Sequence, residues 1–186
     1  MGNLAPKGET YMENLNDLVN SQKSGLQKLW EKIPGIKGYE NKEDRRDTDK
    51  IVRENIAQRF SEQWNRINVI EKELTKGAGL MYLGDLESAA LKIRQFADRI
   101  KTAAYGYAGL TDAVKVDDIA LQQLYDYDLY LFSLSDIVTK EIDRLEDAVA
   151  ANDGISEAIQ DLNKTAQECL TALNRRAEVK FGTQNL

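Results

Sequence analysis

The chain has 186 residues, 42% of them hydrophobic and 30% charged, with a formal net charge of −6 and a sequence pI near 4.9. That composition suits a globular helical protein with a charged surface, and it lacks the basic footprint that nucleic acid requires. Histidine is absent and Cys169 is the sole cysteine, which excludes Ser-His-Asp and Cys-His nucleophiles, internal disulfides and a structural zinc site.

Any metal chemistry would therefore need oxygen ligands alone. No cofactor is expected. No apolar run approaches the roughly 18 residues of a membrane span, and the N-terminus MGNLAPKGET lacks the apolar core of a secretory signal. The expected location is cytoplasmic. Two prolines, Pro6 and Pro34, leave everything from Gly35 onward open to long helices.

Residues 1–9 read as a disordered tail. Thr10 to Glu13 has the form of a capping box opening an amphipathic helix over 10–34. Its apolar face is Met12, Leu15, Val19, Leu26, Leu29 and Ile33, with Trp30 beside them. Ser24-Gly25 weakens the middle, and Ile33-Pro34-Gly35 ends it. Its lysines are balanced by Glu13, Asp17 and Glu31, so it lacks the basic face of a membrane-surface helix. It is expected to dock on its own helices or on a protein partner, with membrane contact as the alternative.

Residues 39–182 read as a four-helix bundle. Asn41 can cap the first of its helices, whose stripe is Ile56, Phe60, Trp64, Ile67, Ile70 and Leu74, stopped by Gly77-Ala78-Gly79. The next carries Leu86, Ala90, Ile93, Ala97, Ile100 and Ala104, alternating four and three residues apart as in a coiled-coil seam. Tyr105-Gly106-Tyr107-Ala108-Gly109 breaks the pattern. Asp117 can cap a helix with the stripe Leu121, Leu124, Leu131, Leu134, Val138, Ile142, Leu145 and Val149. Asp128 falls on that stripe, so it is expected to point inward and to pair with an arginine or tyrosine from another helix. After Asn152-Asp153-Gly154, a last helix runs through Ile155, Ile159, Leu162, Ala166, Cys169, Leu173 and Ala177. Short loops at 77–84 and 152–155 imply antiparallel neighbours. The fold expected is therefore all-α: an antiparallel up-down-up-down bundle of four long helices plus the N-terminal amphipathic helix.

That topology brings residues 39–50, 104–128 and 174–186 to one end. The end is rich in Tyr39, Arg45, Arg46, Tyr105, Tyr107, Tyr125, Tyr127, Asp128, Arg175 and Arg176. Tyrosine and arginine anchor interfaces well, so these residues are candidates for an interaction surface. The alternatives are a solvated face laced by pairs such as Arg45–Asp49 and Asp49–Arg53, tyrosines that plug the helix ends, and an oxygen-ligand metal site at Asp117, Asp118, Asp126 and Asp128. The last is disfavoured by its ligand spacing. Long antiparallel helices behind an amphipathic segment and Pro34-Gly35 resemble, in architecture, the phage-shock and vesicle-inducing coat proteins, and equally the spectrin-type and adaptor bundles. The missing basic face departs from the coat proteins. The function expected is a non-enzymatic interaction or scaffold protein, with a peripheral membrane-associated coat or stress protein as the alternative.

Overall fold

The computed structural model describes residues 25–33, 44–76, 78–103 and 118–179. Among them the chain forms five α-helices and no strand: α1 (Gly25–Lys32), α2 (Asp44–Leu74), α3 (Leu83–Thr102), α4 (Asp118–Ala151) and α5 (Ile155–Val179), with a 3-10 turn at Ala78–Tyr82. The expected tail, Thr10, Met12, Leu15, Val19, Tyr39, Tyr105, Tyr107 and Asp117 lie outside the described residues. So do the side chains of Leu26, Trp30, Arg45, Arg46 and Asp118.

The apolar stripes become the core. Ile56, Phe60, Ile67, Ile70 and Leu74 of α2 are buried, as are Leu86, Ala90, Ile93, Ala97 and Ile100 of α3. The α3 face is wider than a coiled-coil seam, because Ala89 and Phe96 are buried too. Two flanks, not one, are covered: α3 packs on both α2 and α5. Trp64 lies at the margin, partly exposed, with the Arg94 guanidinium 5.0 Å from its ring. The α2 stripe also starts earlier than its apolar residues suggest, with Val52, Asp49 and Thr48 buried.

Contacts between elements fix their senses. Phe60 stacks on Phe96 at 3.9 Å between ring centres, and Arg53 of α2 reaches the Lys101 carbonyl near the end of α3, so α2 and α3 run oppositely. Tyr127 reaches the Ala172 carbonyl, while Arg144 pairs with Glu157 and Asp161, so α4 and α5 run oppositely. Arg59 pairs with Asp136, and Arg66 with Asp143 and Glu146, so α2 and α4 run in the same sense.

Both tight turns follow from local chemistry. Helix α4 ends with the Asn152 amide bonded to the Val149 carbonyl and the Asp153 amide to that of Ala148, and Asn152 takes φ 54°. This is a Schellman stop, with asparagine tolerating the left-handed position. At the other turn a Cβ on Gly79 would stand 2.7 Å from the Leu74 side chain, so only glycine lets the 3-10 turn fold back on α2.

Helix α1 packs on α4. Gly25, Leu29 and Ile33, spaced four apart, are buried. A Cβ on Gly25 would stand 2.7 Å from the Asp126 backbone, so the glycine that weakens the helix is also the point of closest approach. Leu29 and Ile33 are thus spent on the protein's own core.

Candidate functional site

The residues expected to gather at one end do gather in part, but inside the protein. Asp128 and Arg176 are fully buried, and Tyr125 and Tyr127 nearly so. Asp128 takes the inward, paired position that its stripe implies. Arg176, Tyr125 and Tyr127, expected on an accessible surface, are instead buried beside it, because their stripes rotate them into the interior. Arg175, one residue from Arg176, is exposed.

The geometry is a four-residue charge network. Arg176 of α5 donates from Nε to Asp128 Oδ1 at 2.6 Å and from Nη2 to Asp128 Oδ2 at 2.8 Å, a bidentate pair. The same Nη2 donates to Asp49 Oδ1 of α2 at 2.9 Å. Arg53 donates from Nε to Asp49 Oδ2 at 2.8 Å and from Nη1 to the Lys101 carbonyl at 3.0 Å. Four helices therefore meet at two carboxylates and two guanidiniums of zero formal net charge.

The expected Asp49–Arg53 pair exists, but it is buried instead of forming a solvated face. Asp49, Arg53 and Thr48 were not legible as interior from their apolar neighbours alone. The signal that finds them is register: Asp49, Val52, Ile56 and Phe60 continue one stripe, and Leu162, Ala166, Cys169, Leu173 and Arg176 continue another.

Electrostatics follow from burial and pairing. Desolvation pushes the Asp128 carboxyl above the usual carboxylate range, and the Arg176 guanidinium pulls the other way. Desolvation would lower Arg176, yet Asp128 and Asp49 more than reverse this and hold it firmly protonated. We therefore read the pair as ionised and mutually held. Arg176 Nη1 is buried without a hydrogen-bond partner. Burial, with Glu168 adding, pushes the Cys169 thiol up to about 12, so it is no ready nucleophile. Burial likewise lifts Tyr130 to about 12.

Chemically, each carboxylate oxygen of the network already accepts a hydrogen bond from arginine, so neither acid is placed as a general base. The acids weighed as metal ligands diverge: Asp128 faces Arg176 while Asp126, half-exposed, backs onto Gly25. Among the described residues no group of three or more metal-ligating side chains comes together, and no helix is long and apolar enough to cross a membrane. Comparison with family models, with curated proteins and with solved structures finds no match to this chain.

Proposed function

We propose that this chain is a non-enzymatic interaction or scaffold protein, its four long helices forming one bundle that alternates in direction along the sequence and runs α2, α3, α5, α4 around the ring. The observation that carries this reading is the buried network. Removing two arginines and two aspartates from water is a poor route to stability. It does fix the relative register of four helices, and a rigid, uniquely registered surface is what a recognition platform needs.

Arg175, exposed beside the network, is the residue of the expected set best placed to meet a partner. The test is affinity capture from the native host, quantified by mass spectrometry, with wild type against Arg175→Glu. Proteins enriched on the wild type and lost on the variant support the reading. Identical sets, or none above bead background, overturn recognition through that end. The membrane alternative has less to draw on, since Leu29 and Ile33 are covered by α4. Co-sedimentation with phosphatidylserine vesicles separates the two.

A further inference from the structure

The opposite end, where α2 passes into α3 and α4 into α5, presents a different surface. Leu80 and Met81 stand side by side on the 3-10 turn, 63% and 75% exposed. They are the two most exposed of the large hydrophobic side chains among the described residues, and they are adjacent. Met81 borders a half-open cavity of about 370 Å³, walled also by Glu73, Leu74, Tyr82, Val149, Asn152 and Ile155. That volume falls within the roughly 300–1,000 Å³ usual for ligand pockets. Methionine at its lip adapts to varied apolar shapes.

The charge around this cavity is one-sided. Residues 71–76, 85–87 and 146–157 carry eight carboxylates against Lys72 and Lys76, a formal −6, equal to the net charge of the whole chain. Two of these carboxylates, Glu146 and Glu157, are paired with Arg66 and Arg144, which leaves a formal excess of −4 (eight carboxylates less Lys72, Lys76 and the two arginines). Glu73, in the wall itself, is exposed. Glu71, two residues before Glu73 and outside the cavity wall, has a buried Oε1 with no hydrogen-bond partner; burial, and then Glu87, raise its pKa. A cation approaching this end meets a negative field over a half-open recess of mixed polar and apolar lining.

We infer that this end is a docking site for a basic segment of a partner protein, which seats one apolar side chain in the cavity beside Met81 and sets a lysine or arginine against Glu73. The charge excess selects a cationic partner, and the cavity with its exposed Leu80 and Met81 supplies the anchor that charge alone lacks. The site is separate from the network end, so failure of one leaves the other standing.

The experiment uses the full chain and three short fluorescein-labelled peptides, one of lysine and leucine, one of glutamate and leucine, and one of lysine and serine, with amide chemical shifts mapping the contact. The lysine-leucine peptide is expected to bind and to shift amides within 73–82 and 149–155. Met81→Glu and Glu73→Lys, both at exposed positions, are each expected to keep the native circular dichroism and to weaken binding by roughly tenfold. Equal binding of the lysine-serine peptide would reduce the site to a charged surface and overturn the proposal. Equal binding of the glutamate-leucine peptide would overturn the cationic selection. Shifts confined to other residues, or self-association abolished by Met81→Glu, would place a different contact or a second copy of this chain there instead.

Discussion

Asp128→Ala is the sharpest perturbation of this interior. The carboxylate is fully buried and accepts both bonds of a bidentate arginine at 2.6 and 2.8 Å. Its removal leaves Arg53 and Arg176 facing Asp49 alone, a buried net charge of about +1 where the network had balanced. Arg176 already has one nitrogen without a partner, so the lost bonds are not readily replaced from within. Breaking a buried pair by deleting one member costs about 3–5 kcal/mol. At a urea slope of about 2 kcal/mol/M, the midpoint should fall by roughly 1.5–2.5 M. Urea denaturation followed by far-ultraviolet circular dichroism measures it, with exposed Asp147→Ala as the control, expected within about 0.5 kcal/mol of wild type. The paired variant Asp128→Leu with Arg176→Met should recover most of the loss, because removing both charges strands neither. A midpoint shift for Asp128→Ala no larger than that of the control would refute the network as an energetic unit. A double variant as unstable as the single would show that packing, not the stranded charge, sets the cost.

Ile93→Ala, at a fully buried position of α3, should cost about 2–4 kcal/mol; an unchanged midpoint would remove α3 from the core. Leu29→Ala should cost about as much, and deleting residues 1–34 should lower the midpoint while leaving most helical signal, since α1 covers part of α4; a truncated chain as stable as the full one would mean that α1 contributes nothing there. Stability should also fall as pH rises from about 9 to 12. Cys169 and Tyr130 have ordinary values of 9.0 and 10.0 and are lifted to about 12 in the folded protein. The unfolded chain thus loses these protons first, and their contribution, complete below about 9, disappears across that interval. A midpoint independent of pH between about 8.5 and 11 would contradict the burial of both groups.

How much of this was readable beforehand depended on the residue type. Leucine and isoleucine at helical spacing announced α2, α3, α4 and α5, and Asn152-Asp153-Gly154 announced the turn between the last two. Asp128 was readable as inward because leucines bracket it, and its arginine partner from another helix followed from the cost of a lone buried charge. Arg176 reads from sequence both as an interface candidate and as one of several arginines able to meet Asp128, and long cationic side chains usually reach water. Its place on the α5 stripe outweighed that habit. The Asp49–Arg53 pair was legible as a pair but not as interior, since the spacing of two charges on one helix is the same in either setting. Gly25 carried an ambiguous signal: a glycine within a helical pattern marks either weakness or close approach, and only the backbone of α4 beside it decides between them.

The network also has a history written along the chain. Asp49 and Arg53 lie one helical turn apart and satisfy each other as soon as that turn forms. Asp128 waits 48 residues for Arg176, which also reaches back 127 residues to Asp49. While the chain is being made, Asp128 therefore sits as an unanswered charge on the apolar stripe of α4. Burying that end of the stripe before Arg176 is in place would strand the charge. A chain that stops short of residue 176 keeps the apolar faces of α2, α3 and α4 but lacks the arginine that pairs Asp128, and it should be destabilised accordingly.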